Sequence, residues 1–158
     1  MGVSTLSEPA RDLPVDGHWD LVVVGGGLGG VAAAVAAARR GISVLLIERG
    51  FGLGGLATLG NVTVWLPLCD GHGRQVTSGL AEELLRLSVA DLAVDRPAAG
   101  MHGVPACWRP DGDAAERRRH RYQVRFNPSA YLLGLEPWLL AAGVELWYDT
   151  RLCAVARD

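Results

Sequence analysis

The sequence predicts an α/β fold with a parallel sheet, built on a strand–turn–helix–strand unit near its start. A short β-branched run, Leu21–Val24, precedes a dense glycine cluster, an alanine-rich stretch and a second apolar run, Ile42–Ile47. Alternation of this kind is typical of parallel βαβ units. The chain has 158 residues, 49% apolar and 20% charged, with a net charge of −2, which suits a globular domain rather than a disordered chain or a general polyanion binder.

The first element is a strand over Asp20–Val24, followed by a glycine turn and a helix that ends near Gly41. Residues 21–38 carry no charge, so their length alone would also permit a membrane span. Six consecutive positions, 25–30, hold five glycines, and the flanks change from β-branched to alanine-rich. The pattern therefore favours strand, turn and helix over a membrane segment.

The turn matches the spacing G-x-G-x-x-G at Gly25, Gly27 and Gly30. The first glycine permits a sharp turn, the second lets a diphosphate approach the backbone, and the third lets helix and strand pack closely. The helix N-terminus then directs free amides at the phosphates. The candidate diphosphate contacts are Gly25, Gly26, Gly27, Gly29 and Gly30.

The second strand ends in Glu48, about 20 residues beyond the glycines, where an acid can accept hydrogen bonds from a ribose diol. A negative charge there disfavours a 2′-phosphate, so NAD and FAD are favoured over NADP. Arg49 is interpreted as a solvated residue beside the adenine. We weighed a ligand-free βαβ unit, which accounts for the apolar strands but not for the spaced glycines together with the acid.

A second glycine-rich stretch, residues 50–58, follows this strand directly and favours a flavin cofactor over NAD. A plain NAD domain usually continues into another helix at this point, whereas FAD is longer and extends past the diphosphate. A simple mobile loop is the alternative interpretation. The lack of any lysine excludes the Tyr-x-x-x-Lys pair of small NAD dehydrogenases.

These motifs together resemble the FAD-dependent oxidoreductase family, which is similar to the fumarate reductase and succinate dehydrogenase flavoproteins. The resemblance spans roughly residues 19–158 and includes Glu48-Arg49, the segment Gly54–Thr58 and the segment Ser78–Leu85. It implies FAD as cofactor, with Gly54, Gly55 and Thr58 as contacts nearer the flavin. By position, Leu152 is a candidate to offer backbone groups to the adenine.

The cysteines argue against dithiol chemistry, because Cys69, Cys107 and Cys153 include no closely spaced pair. Cys69 lies near Asp70 and His72, but this grouping is a weak metal signal, and we expect no metal site. No catalytic acid or base is assigned; His72 and Arg74 are candidates by location only. Trp65 and Trp108 are interpreted as packing residues.

Four regions are expected: a flexible segment 1–17, a dinucleotide-binding core 18–90, an irregular insertion 91–121, and a strand–helix–strand return 122–158. Within the last, we expect a helix over Pro128–Ala142, a third parallel strand over Val144–Tyr148 beside the second, and the start of a further strand over Leu152–Ala156. Relatives of this family are normally several hundred residues longer, so the domain is expected to be incomplete at its C-terminus. The arginine-rich run 117–121 is interpreted as a solvated face rather than a nucleic-acid patch; an anion site for substrate rests on analogy alone.

The sequence thus predicts an FAD-dependent oxidoreductase, or its cofactor-binding part, that transfers hydride between a small organic substrate and flavin. The alternative is a non-catalytic, truncated or split nucleotide-binding module that needs a second polypeptide. Self-association or a complementing chain is expected through the incomplete sheet. No signal peptide is evident, and a cytoplasmic location is expected, without nucleic-acid or membrane partners.

Overall fold

The computed structural model describes residues 4–5, 12–90 and 103–157. The strands are β1 (Leu21–Val24), β2 (Val44–Ile47) and β3 (Glu145–Trp147), and the α-helices are α1 (Leu28–Ala38), α2 (Leu80–Ser88) and α3 (Pro128–Ala141). Short 3₁₀ turns occupy Gly55–Ala57, Ala106–Trp108 and Ala114–Arg118. This arrangement confirms the predicted α/β class.

The three strands form one parallel sheet in the order β1-β2-β3. Leu21 lies opposite Val44 and Val24 opposite Ile47, while Leu46 pairs with Leu146 on the other side. Three of the four predicted strands are confirmed, including the third strand beside the second. Because the three strands run in the same direction, their carboxyl ends lie at one edge of the sheet, where the glycine turn and Glu48 are found.

Helix α1 packs on the sheet through a small-residue face. Val31, Ala34 and Val35 are fully buried in the central core. Gly41, just beyond the helix, has a left-handed φ of +79°, which lets the chain reverse into β2.

Helix α3 confirms the helix predicted over this segment. The Asn127 side chain accepts hydrogen bonds from the Ser129 and Ala130 amides, and Pro128 occupies the first turn. Tyr131, Leu135 and Leu139 recur at helical spacing, and all three are buried.

The strand predicted over Leu152–Ala156 is wrong. Residues 151–157 are exposed and have no regular secondary structure. Leu152 and Val155 have apolar side chains of the right type, but a strand requires backbone pairing, and no described segment pairs with this one.

Strand β1 departs in part from the buried strand that its sequence predicts. Val23 lies beside Gly30 of α1, but Val22 and Val24 remain 45% and 54% exposed. These alternate residues lie on the face opposite α1. Association of a further chain through this sheet stays a prediction.

The insertion predicted over residues 91–121 lies partly outside the described residues, as does the N-terminal segment. Residues 103–121 form short 3₁₀ turns anchored by buried Cys107 and Trp108. Within the arginine-rich run, Arg117 lies over the Trp108 ring and donates to the Cys107 carbonyl, whereas residues 118–121 are exposed. Among the described residues, no helix has the length and apolar character needed to cross a membrane.

Candidate cofactor site

The glycine turn leaves an open backbone surface between β1 and α1. Gly25 has a φ of +105°, a conformation that favours glycine. A side chain at Gly30 would collide with the Gly25 carbonyl, so helix and strand approach closely there. At Gly27 and Gly29, by contrast, an added Cβ would meet no atom within 4 Å. The glycines of the motif thus fall into two groups: Gly30 is needed for close packing, whereas Gly27 and Gly29 have free space beside the backbone.

The N-terminus of α1 presents unpaired amides to this open surface. Gly27 is the N-cap residue and supplies no side chain to cap the helix, and the first turn carries no acidic residue. The first amides of a helix have no intrahelical partner and lie at the positive end of its dipole. The geometry therefore favours an anionic group against Gly27 and the residues that follow it.

Glu48 lies beside the turn and is already oriented by the backbone. One carboxylate oxygen accepts from the Gly26 amide at 2.7 Å, and the other accepts from the Gly50 amide at 2.8 Å. The carboxylate oxygens retain acceptor capacity for further donors. Glu48 therefore connects the first glycine turn to the loop after β2.

A cleft of about 340 Å³ surrounds Glu48 at the carboxyl edge of the sheet. Its walls bring together three predicted regions of the sequence: Gly25 of the turn, Glu48-Arg49 after β2, and Leu152 after β3. The Thr150 amide donates to the Glu48 carbonyl at 3.0 Å, which holds the third segment in place. The chemistry of this cleft suits an adenosine group, because the Glu48 carboxylate offers hydrogen-bond acceptors and the walls carry apolar surface.

The second glycine cluster packs directly on the first. The Gly54 amide donates to the Gly26 carbonyl at 2.8 Å, and Gly54 and Gly27 form a parallel bridge. A Cβ on Gly55 would lie 3.3 Å from the Gly27 Cα. The structure thus places Gly54 and Gly55 against the first glycine turn, and their contact with the flavin stays a prediction. Thr58 faces inward instead: it is 4% exposed, and its hydroxyl donates to the Leu53 carbonyl.

An apolar groove of about 630 Å³ extends from this junction. Gly27, Leu28, Gly54 and Ala57 form the end nearest the turn. The other wall is built by the segment Val62–Leu68 with Phe126, and backbone bonds from Trp65 to Val124 and from Phe126 to Thr63 hold that wall together. Sequence reasoning missed this wall. Its signal was faint, since only an apolar run containing Trp65 and Pro67 marks it.

The remaining sequence candidates lie away from the groove. His72 and Arg74 are exposed, and their amides donate to the Asp70 carboxylate at 2.7 and 3.1 Å. These amide bonds hold the pKa of Asp70 below its ordinary value. The Cys69 sulfur accepts from the Tyr122 amide in the core. In the described ranges, no group of three His, Cys, Asp or Glu residues could hold a metal ion.

A parallel βαβ unit with a bare helix N-terminus and an acid at the next strand end defines a dinucleotide-binding domain. Residues 20–158 match the family described as FAD dependent oxidoreductase. The chain therefore belongs to the FAD dependent oxidoreductase family, and its cofactor is FAD.

Individual relatives cover parts of this unit. Thioredoxin reductase of Ureaplasma parvum serovar 3 is 36% identical over 72 residues, which is 46% of this chain and 23% of that protein. The structure of aklavinone-11 hydroxylase in a ternary complex with FAD and aklavinone has a TM-score of 0.52 at 23% identity, covering 92% of this chain and 28% of the hydroxylase chain. BexE, from a study of oxidation during BE-7585A biosynthesis, has a TM-score of 0.50 at 18% identity, covering 89% of this chain and 26% of BexE.

The two solved structures show the shared fold. The chain spans about a quarter of the length of these three proteins. The residues present here fit FAD on their own geometry, because the open turn, the oriented acid and the apolar groove follow one another along a single edge.

Proposed function

We propose that this chain is the cofactor-binding part of an FAD-dependent oxidoreductase, which transfers hydride between a small organic substrate and the flavin. The observation that carries the proposal is that the uncapped N-terminus of α1, at Gly27, lies next to a cleft that contains the Glu48 carboxylate. We also propose that the protein is located in the cytoplasm.

The adenosine half would occupy the cleft lined by Glu48, Arg49 and Leu152. Glu48 would accept hydrogen bonds from the ribose diol through the acceptor capacity that the Gly26 and Gly50 amides leave free. Gly27 and Gly29 leave room for the diphosphate. Two negative charges there would gain from the α1 dipole and the unpaired amides.

The flavin half would enter the apolar groove beyond Gly54. A cavity of about 630 Å³ lies within the range typical of sites for small molecules and cofactors. When bound, FAD supplies the two-electron chemistry, while the protein positions the ring and excludes water. The lining residues Leu56, Val62 and Leu66 supply the apolar surface for that exclusion.

Purification of the chain and measurement of its visible spectrum would test this function. We expect a yellow protein that releases FAD on denaturation, or a colourless one that binds added FAD with quenched flavin fluorescence. A protein that binds FAD only when a second polypeptide is added would instead support the split-module alternative. Failure to bind FAD or ADP under either condition would refute the proposal.

The Glu48→Ala variant provides the residue-level test. We expect it to weaken ADP binding by about tenfold, the loss of about one charge-assisted hydrogen bond, and to affect FMN binding less. The matched control is Glu145→Ala, since Glu145 also accepts two hydrogen bonds, from the Trp19 and Trp147 indoles, but lies outside the cleft. Equal losses of ADP and FMN affinity in Glu48→Ala would contradict the role assigned to Glu48.

A further inference from the structure

We propose that Thr58 is a positioning residue for the diphosphate site and that it acts through Gly54 rather than by touching the cofactor. The proposal rests on the proposed FAD binding at this edge. It concerns how the second glycine loop is held against the first, which the glycine motif alone does not explain.

Gly54 supports the proposed diphosphate site by packing against the first glycine turn. Its amide donates to the Gly26 carbonyl, and the bridge between Gly54 and Gly27 continues the contact. Leu53 adds a side-chain contact, because its methyl would lie 2.6 Å from a Cβ placed on Gly26. The segment Leu53–Gly54 therefore supports Gly26 and Gly27, and Gly27 begins the open stretch of backbone proposed to face the phosphates.

Thr58 holds that segment in an unusual conformation. Gly54 has a φ of +95°, and a Cβ placed on it would lie 2.5 Å from the Thr58 methyl and 2.8 Å from the Thr58 hydroxyl oxygen. Thr58 thus packs against the face of Gly54 that carries no side chain. The Thr58 amide closes the turn by donating to the Gly55 carbonyl at 3.2 Å.

The Thr58 hydroxyl has a specific partner in this arrangement. It donates to the carbonyl of Leu53, a residue with no exposed surface, and makes a second, longer contact of 3.4 Å with the Gly55 carbonyl oxygen. A buried carbonyl that loses its donor bears a desolvation cost, so removal of the hydroxyl gives the Leu53–Gly54 segment a reason to move. Movement of that segment would release the Gly26 carbonyl and shift the Gly27 amide away from its position at the helix start.

The test uses the 158-residue chain with Thr58→Val, which keeps the shape and removes the hydroxyl, and Thr58→Ser, which keeps the hydroxyl. Two quantities are measured: ADP affinity by calorimetry, and amide hydrogen exchange at Gly54 relative to Leu68. Leu68 is the reference, because its amide bonds to the Tyr122 carbonyl and to neither glycine loop. The comparison variant is Ser88→Ala, which removes another buried hydroxyl. The Ser88 hydroxyl donates to the Leu85 carbonyl and accepts from the Trp65 indole of the groove wall, and neither Ser88 nor Trp65 lines the cleft proposed for adenosine.

We expect Thr58→Val to weaken ADP binding by about tenfold and to speed exchange at Gly54 without speeding it at Leu68. Thr58→Ser should retain most of the ADP affinity. Ser88→Ala should lower stability while leaving ADP affinity and Gly54 exchange unchanged. General loss of stability would instead speed exchange at both amides.

The outcomes separate this inference from the proposed function. If the unaltered chain binds neither ADP nor FAD, the proposed function fails and the inference falls with it. If the unaltered chain binds ADP but Thr58→Val binds it equally well with unchanged Gly54 exchange, only the role of Thr58 is refuted. If Thr58→Val does not fold, Thr58→Ser provides the test. Loss of ADP affinity in Thr58→Ser, with ADP affinity retained in Ser88→Ala, would overturn the inference, because the hydroxyl would then not be sufficient to hold the diphosphate site.

Discussion

Two glycines of the same motif are expected to respond to alanine in opposite ways. Gly27 and Gly30 lie three residues apart at the start of α1, yet their surroundings differ completely. An added methyl at Gly27 would meet no protein atom within 4 Å, whereas at Gly30 it would collide with the Gly25 carbonyl oxygen and lie 3.1 Å from the Gly25 carbonyl carbon. The prediction is that Gly27→Ala folds but loses ligand, while Gly30→Ala loses stability.

The expected magnitudes follow from these contacts. Gly27 has a φ of −65°, which alanine adopts readily. Alanine lowers the conformational entropy of the unfolded chain, and this gain in stability offsets the weaker N-cap. The free energy of unfolding of Gly27→Ala should therefore stay within about 1 kcal/mol of the unaltered value. At Gly30 the obstacle is backbone that cannot rotate away, so helix and strand must separate, at a cost of about 3 kcal/mol.

Ligand binding should show the reverse order. A methyl at Gly27 occupies the open space assigned to the diphosphate and blocks an amide hydrogen bond to it. Because one hydrogen bond to a charged group contributes about 1.5–3 kcal/mol, the dissociation constant for ADP should rise by about tenfold to a hundredfold.

Urea unfolding followed by tryptophan fluorescence measures the first quantity, and calorimetric titration with ADP measures the second. Gly143→Ala serves as a control for glycine replacement away from the site: its φ of +87° makes it costly for stability, but it lies outside the cleft. The reasoning would be refuted if Gly27→Ala bound ADP as tightly as the unaltered chain, or if it were as destabilised as Gly30→Ala.

Two further predictions concern the core. Burial works against ionisation of Glu82, but hydrogen bonds from Tyr122, Arg86 and Gln75 outweigh it and hold the pKa of Glu82 below its ordinary value of 4.5. Its contribution to stability, about 1 kcal/mol, is therefore complete above that value and is lost as the pH falls through the lower folded pKa. Urea unfolding of Glu82→Gln should show a smaller difference from the unaltered chain at pH 3 than at pH 7, and an equal difference at both would contradict this. The buried Tyr131 hydroxyl has no hydrogen-bond partner among the described residues, so Tyr131→Phe should leave the unfolding free energy unchanged or raise it by about 1 kcal/mol, and a loss of more than that would indicate an unrecognised partner.

Much of the cofactor edge could be predicted because its determinants are local. The turn at Gly25 was predicted from the conformational freedom of glycine, and the position of Glu48 from the length of the apolar run before it. The neighbour of a short apolar run is a different question, since it depends on which distant segment pairs with it. Val144–Tyr148 was correctly placed beside β2, because helix α3 leads the chain back to the sheet. Leu152–Ala156 was wrongly predicted as a strand, because its apolar residues do not reveal that no described segment pairs with it.

The sequence by itself therefore determined the βαβ unit, the open glycine turn and the acid beside it, because backbone freedom and apolar periodicity are encoded residue by residue. Only the tertiary structure decided that Val62–Leu68 and Phe126 form the wall of the apolar groove, and that the Thr58 hydroxyl faces inward to Leu53 rather than outward. These features arise from contacts between loops, whose geometry is set by packing against the finished core and not by any periodic pattern.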